Sequence, residues 1–80
     1  MIEVNIRWFA AYRELTGIES ETHTTAASTP AELFDEMTQR HEQLAGRQSA
    51  LVAINDEMAD WSTTLSTGDT ILFFPPVAGG

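Results

Sequence analysis

The sequence predicts a small α+β domain in which a mixed sheet packs against one main helix. The first residues alternate in polarity, as a strand with one buried face does. A single long amphipathic helix begins at a clear capping signal near residue 29. Short apolar runs bounded by turn residues follow this helix. With 80 residues, 42% of them hydrophobic, the chain is expected to form one domain.

The first part of the chain predicts two strands and a short helix. Residues 2–8 (IEVNIRW) alternate between apolar and polar, so they predict a half-buried strand. Phe9 breaks this alternation and adds an aromatic side chain on the other face. Residues 10–16 are compatible with a short helix, and Gly17 is expected to end it. The threonine- and glutamate-rich segment 18–24 predicts a second strand, exposed on one face.

The main helix has a strong start signal at Thr29. This residue can cap the helix, Pro30 suits the first helical position, and Glu32 completes a capping box. The apolar spacing predicts a helix that runs to about residue 44, with Gly46 as its terminator. The face toward the core is expected to contain Leu33, Phe34, Met37 and Leu44.

Three strands are predicted after the helix. The apolar run 51–54 predicts a buried strand, and 58–61 a short return strand after a turn at 55–57. A turn at 67–69 precedes the last strand, 70–74. A right-handed crossover through the helix would make a late strand parallel to an early one, which is the β-grasp, or ubiquitin-like, arrangement. The residues expected to complete the core are Trp8, Met37, Met58 and Trp61.

The composition excludes several classes of function. Twelve acidic residues, four arginines and no lysine give a formal charge of −8, which opposes binding to nucleic acid or anionic membranes and suits a basic partner. The acidity could equally serve solubility alone, or reflect a salt-rich cytoplasm. The absence of cysteine excludes disulfides, thiolate metal sites and a cysteine nucleophile. No signal peptide or membrane span is evident, so a cytoplasmic protein is expected.

The body of the domain offers no arrangement typical of catalysis. The two histidines are far apart in sequence, no metal-binding motif is present, and His41-Glu42 is expected to be a solvated pair or a partner of the helix dipole. The carboxylate pairs are expected to be solvated too. They are Asp35-Glu36, Asp56-Glu57 and Glu19/Glu21. The sequence therefore predicts a scaffold rather than an enzyme, with no metal bound.

The chemistry is expected at the carboxyl end, which reads FFPPVAGG. Pro75 and Pro76 end the sheet and favour an extended backbone, so residues 75–80 can project roughly 20 Å into a partner. Val77 offers one apolar anchor, and Gly79 and Gly80 leave no Cβ near the carboxylate, so a narrow channel could enclose them. An ionised carboxylate becomes an electrophile when ATP converts it to an acyl adenylate. A flexible terminus without chemistry is the alternative.

Motifs along almost the whole chain resemble the MoaD/ThiS-like β-grasp family, and within it the small, sulfur-carrying subunit of molybdopterin synthase. The specific part is the ending Gly68-Asp69-Thr70 followed by Phe73-Phe74-Pro75-Pro76-Val77-Ala78-Gly79-Gly80. The opening Phe9-Ala10, Arg13-Glu14-Leu15 and Gly17, and the segment Val52-Ala53-Ile54-Asn55, are similar as well. The resemblance predicts a β-grasp domain over residues 1–74 and a di-glycine tail over 75–80.

The resemblance also implies a mechanism and partners. A ubiquitin-activating-like adenylyltransferase would use ATP to adenylate Gly80, and a sulfur donor protein would supply the sulfur for a thiocarboxylate. The tail residues Pro75, Pro76, Val77, Ala78 and Gly79 would then enter the large subunit of molybdopterin synthase. Sulfur would pass to cyclic pyranopterin monophosphate, and two rounds would make the dithiolene of molybdopterin. The small subunit would be a non-catalytic donor with no bound cofactor, in a heterotetramer with the large subunits at its centre.

The docking interface implied by the resemblance is an apolar patch beside the tail, mapped here to Phe9, Phe74 and Pro75. Adjacent residues of a strand point to opposite faces, so one of Phe73 and Phe74 is expected outside the core. Phe9 could instead belong to a core on the second face of the sheet. Other functions also stay open: a sulfur carrier for thiamine or tRNA thiolation, a ubiquitin-like protein modifier, or an interaction domain with an idle tail.

Overall fold

The structure is a computed structural model that describes residues 1–44 and 50–75. Within these residues it contains five strands and two helices. In chain order they are β1 (Ile2–Trp8), α1 (Ala11–Thr16), β2 (Ser20–Thr25), α2 (Pro30–Arg40), β3 (Leu51–Ile54), β4 (Glu57–Ala59) and β5 (Thr70–Phe74). The predicted α+β class is confirmed, with one main helix and a mixed sheet.

The strands form one sheet in the order β2-β1-β5-β3-β4. Only β1 and β5 are parallel, and the other neighbours are antiparallel. The parallel pair joins the first and last strands of the chain, with α2 in the crossover between them, which is the predicted β-grasp topology. Its register places Trp8 beside Phe73, so the end of β1 and the end of β5 lie at the same edge of the domain.

One face of the sheet, called the inner face below, carries the core. Val4, Ile6 and Trp8 of β1 are buried on this face, as the alternation in the sequence predicts. Phe34 of α2 packs against Phe73 of β5 with ring centroids 4.9 Å apart. The buried aliphatic and sulfur-containing side chains around these rings are Leu33, Met37, Leu44, Val52, Leu65 and Ile71. A single small core therefore supports the fold.

Thr29 caps α2 as predicted, but the hydrogen bonds of Glu32 differ from those of the predicted capping box. Thr29 Oγ1 accepts a hydrogen bond from the backbone N–H of Glu32 at 3.3 Å. The Glu32 carboxylate accepts from the backbone N–H and the hydroxyl of Ser28, one residue before the cap, at 2.8 and 2.9 Å. The helix start is thus fixed from both sides, since donors that the first turn leaves free find acceptors.

The predicted end of α2 near residue 44 is wrong. The helix ends at Arg40, and the extended backbone of His41 (φ −119°) caps it. Leu44 still reaches the core, because a turn closed by its N–H to the carbonyl of His41 at 3.0 Å carries it there. The apolar spacing therefore predicted the burial of Leu44 correctly but was wrong about its helical conformation. Gly46, the predicted terminator, lies outside the described residues.

A partly buried polar cluster joins β2 to α2, where the sequence predicted solvated groups. The Nε1–H of Trp8 donates to Glu21 Oε2 at 2.8 Å, and His41 Nε2 lies 3.0 Å from the same oxygen. Arg40 Nε is 3.6 Å from Oε1. The prediction that Glu21 is solvated is wrong, because the antiparallel register pairs Glu21 with Ile6 and so turns its side chain to the inner face. His41 is not solvated either, but it lies at the C-terminal end of α2, as its other interpretation, a partner of the helix dipole, requires.

The second histidine belongs to the same cluster. His23 Nε2 lies 2.7 Å from Glu36 Oε1, and the hydroxyl of Thr25 donates to Glu36 Oε2 at 2.8 Å. Arg40 bridges the two halves, with a terminal guanidinium nitrogen 3.5 Å from His23 Nδ1. The edge strand β2 is therefore attached to α2 by hydrogen bonds and charge rather than by apolar packing alone.

Replacement of Glu21 by Gln is expected to lower the free energy of unfolding by about 1–3 kcal/mol at neutral pH. Burial raises the pKa of Glu21, but hydrogen bonds from Trp8 and His41, together with the charges of His41 and Arg40, lower it further than burial raises it. A carboxyl group with a lowered native pKa stabilises the fold above its unfolded pKa, about 4.3. That contribution disappears as the pH falls through the native pKa.

Urea unfolding of both proteins from about pH 7 down to about pH 3 checks this. The difference between wild type and the Gln variant should shrink steadily below about pH 4. Glu19→Gln, at the exposed residue directly before β2, is the control and should change stability by less than about 0.5 kcal/mol. A difference that is the same at all pH values would show that the charge of Glu21 contributes nothing.

Candidate functional site

The face of the sheet opposite the core, the outer face, carries an exposed apolar patch. We call this set the outer patch, and it consists of Phe9, Leu51, Met58, Leu72 and Phe74. Phe9 is 51% exposed, Leu51 47% and Met58 62%, whereas Leu72 and Phe74 are half-buried. Exposed apolar side chains that are contiguous, rather than scattered, are typical of a protein interface.

Strand register brings these residues together from distant parts of the chain. Leu51 of β3 pairs with Phe74 of β5. Ala53 of β3 pairs with Leu72 on one side and with Met58 of β4 on the other, so all of these side chains share the outer face. The patch therefore spans three adjacent strands.

The two adjacent phenylalanines of β5 divide between the faces as predicted. Phe73 is fully buried, and Phe74 is half-buried on the outer face. The ring of Phe9 lies edge-to-face on Phe74, with centroids 5.2 Å apart. This contact closes the outer patch at the end of the sheet where β5 stops. Phe9 lies outside the core, so of its two sequence interpretations the structure favours the surface one.

A sharp turn at Ala10 keeps Phe9 on the outer face. Ala10 has φ 53° and ψ −124°, a conformation that L-residues rarely adopt, and α1 begins directly after it. The N–H of Tyr12 donates to the Phe9 carbonyl at 3.1 Å. Tyr12 itself is buried edge-on against Trp8, with ring centroids 6.3 Å apart. The chain thus returns to the core side after Phe9 and leaves that ring exposed.

Sequence reasoning misplaced two members of the outer patch. Met58 was expected in the core, which is wrong, because its pairing with Ala53 directs it to the outer face. Leu51 was expected to be buried with the rest of its apolar run, yet 47% of it is exposed. The apolar run 51–54 carried no alternation, so nothing in the local pattern distinguished its two faces.

The predicted tail starts at the outer patch. Pro75 directly follows β5 and is half-buried beside Phe74. The remaining tail residues assigned from the sequence lie outside the described residues, and they are Pro76, Val77, Ala78, Gly79 and Gly80. Since β5 ends at the patch, a partner that covers the patch would also meet the chain as it leaves the sheet.

The described part of the chain contains no group of three or more histidine, aspartate or glutamate side chains that could hold a metal ion. Within residues 1–44 and 50–75, no helix is long and apolar enough to cross a membrane. The candidate site is the outer patch with Pro75 beside it, and the histidines of the polar cluster lie on the inner face.

Comparisons with known proteins give consistent results. A model described as the ThiS family matches residues 6–80. The molybdopterin synthase sulfur carrier subunit of Mycobacterium tuberculosis is 34% identical over 83 residues, which cover 100% of both chains. A chain of the complex of subunits 1 and 2 of the molybdopterin-converting factor from Helicobacter pylori matches with a TM-score of 0.68 and 30% identity, over 99% of this chain and 100% of that one. SAMP1 of Haloferax volcanii has the same fold, with a TM-score of 0.81 at 24% identity, over 98% and 99% of the two chains.

Proposed function

Because the chain belongs to the ThiS family, whose model covers residues 6–80, we propose that it is the sulfur-carrier subunit of a molybdopterin synthase. In this function Gly80 is first adenylated with ATP by an activating enzyme. A sulfide equivalent then attacks the acyl carbon, AMP leaves, and a C-terminal thiocarboxylate forms. The thiocarboxylate donates its sulfur to cyclic pyranopterin monophosphate in the active site of a large subunit.

The observation that carries the proposal is the full-length similarity to sulfur carrier subunits of molybdopterin synthase. The di-glycine ending supports it, since two residues without side chains let a partner's walls approach the reacting carbon. No cysteine competes as a sulfur carrier, so the terminal carboxylate is the group suited to the task. The chain supplies the activated sulfur, and the large subunit supplies the catalytic side chains.

The outer patch gives the proposed complex its docking surface. Phe9 and Phe74 form an aromatic pair beside the exit of the tail, and Leu51 and Met58 extend the apolar area across the sheet. Burial of exposed aromatic and aliphatic side chains provides most of the affinity in such an interface. A partner held on this surface receives the tail at a defined distance, so docking aligns the thiocarboxylate with the active site. We extend the proposal to a heterotetramer with two large subunits at its centre.

A reconstitution with purified components tests the function. The chain is prepared with a thiocarboxylate at Gly80 and mixed with the large subunit encoded by the same organism and with cyclic pyranopterin monophosphate. Molybdopterin should form in proportion to the thiocarboxylate consumed. The same chain with an ordinary carboxylate is the matched control and should give no product. An intact thiocarboxylate that yields no molybdopterin, with a large subunit shown to be active, would remove the assignment and leave thiamine or tRNA thiolation, or protein conjugation.

A further inference from the structure

The outer face of the sheet carries a cation next to the outer patch. Arg7 of β1 is exposed, pairs with Leu72 of β5 on one side and with Ser20 of β2 on the other, and is two residues before Phe9. Its guanidinium makes no ion pair or hydrogen bond with any residue that the structure describes. The other charged residue on this face of β1 is Glu3. It is four residues from Arg7, which corresponds to about 13 Å along a strand.

Arg7 also lines a polar hollow of about 360 Å³ between β2, β1 and β5. Within it, the Thr22 hydroxyl donates to Asn5 Oδ1 at 3.1 Å, which leaves the Asn5 amide N–H group without an acceptor among the described residues. Glu21 borders the hollow as well, but its carboxylate is held on the inner face by Trp8 and His41. The hollow therefore presents donors from Arg7 and Asn5 that no described residue accepts, beside the neutral hydroxyl groups of Ser20 and Thr70 and with no free carboxylate.

The hollow presents a cation and hydrogen-bond donors, whereas the molecule as a whole has a negative charge. The chain has a formal charge of −8, so a large partner that docks on it is favoured if its surface is basic overall. An arginine at the border of the outer patch would repel such a surface unless the partner places an acidic group opposite it. A planar guanidinium and an amide N–H group together fit a carboxylate, which can accept from both.

We propose that the hollow receives an aspartate or glutamate side chain of the large subunit, and that Arg7 with Asn5 fixes the orientation in which this subunit docks. The inference rests on the proposed function, because the large subunit is the partner that the outer patch would bind. Charge sets the orientation, because a large subunit docked in a rotated position would place basic groups, rather than its acidic residue, against Arg7. Arg7 is thus a specificity-determining residue for docking and takes no part in sulfur chemistry.

The affinity of the large subunit for Arg7 variants tests this inference. Isothermal titration at low and at moderate salt should show Arg7→Gln binding about tenfold more weakly than wild type, and Arg7→Glu about a hundredfold more weakly. Arg7→Lys should lose only a few-fold, because it keeps the charge but not the planar fork. Arg40→Gln is the matched control. It removes the same charge from α2, on the other side of the sheet, and should change affinity by less than about twofold.

A charge exchange identifies the partner's carboxylate. Each acidic residue on the docking face of the large subunit is replaced by lysine, and one of these variants should restore binding to Arg7→Glu. If Arg7→Gln binds as tightly as wild type while wild type binds and supports molybdopterin formation, the inference is wrong and the proposed function stands. If wild type itself neither binds nor transfers sulfur, both are wrong. Sulfur transfer that does not depend on Arg7 therefore distinguishes a wrong inference about Arg7 from a wrong proposed function.

Discussion

Removal of Gly79 and Gly80 is expected to abolish molybdopterin formation completely, and to leave the folded domain and its docking intact. The proposed chemistry uses one atom group, the carboxylate of the last residue, and no other group in a chain without cysteine can carry the sulfur. The described members of the core and of the outer patch lie within residues 1–74, so we expect the shortened chain to keep both. Loss of activity with unchanged structure is the expected signature.

Product assays with the adenylating enzyme, ATP, a sulfur donor and the large subunit measure this effect. The shortened chain should show the same thermal unfolding midpoint as wild type and should compete with it for the large subunit. Val77→Ala is the control, because it alters the tail but keeps both glycines, and it should retain measurable activity. Molybdopterin made at the normal rate by the shortened chain would contradict both the site and the proposed function.

Alanine replacements of Phe73 and Phe74 are expected to have opposite consequences, although the two residues are adjacent and identical. Phe73 is fully buried against Phe34 and Trp8, so Phe73→Ala should cost about 3–5 kcal/mol of unfolding free energy. Small domains have a total stability of about 5–15 kcal/mol, so this variant should lose a large fraction of its stability and unfold at a much lower urea concentration than wild type. The reason is the cavity left among the rings of Trp8, Phe34 and Trp61, which surround Phe73 in the core.

Phe74→Ala should fold normally and bind the large subunit more weakly. Its ring contacts Phe9 on the outer face, so its loss should cost about 1 kcal/mol or less of stability and weaken binding to the large subunit about a hundredfold. Chemical unfolding and titration calorimetry on the same two variants give both quantities. Sulfur transfer from Phe74→Ala should recover at high concentrations of the large subunit. Equal loss of stability in the two variants would show that the two faces are not energetically distinct.

The elements of the fold could be predicted because their signals are local. The alternation over residues 2–8, the cap at Thr29 and the glycine stop at Gly17, which has φ 77°, each depend on neighbours within a few residues. The order of these elements restricts the topology to a small set, because a parallel crossover takes one hand. The chemistry expected of the tail likewise came from residue types at the end of the chain, and it stays a prediction for Gly80.

Only the tertiary structure shows which side chains are neighbours. Met58 belongs to the outer patch, Leu51 is exposed, and Glu21 is bonded to His41 in a partly buried cluster, all against the sequence prediction. The donors of Arg7 likewise gather beside the outer patch only when β1 pairs with β5. Strand register sets these contacts, and register depends on pairing between distant segments, such as Asn5 of β1 with Thr70 of β5. The sequence by itself determined most of the elements, since they follow from local residue types, and the tail stays a prediction made on the same basis. The docking surface needed the fold, since its members become neighbours only after long-range pairing.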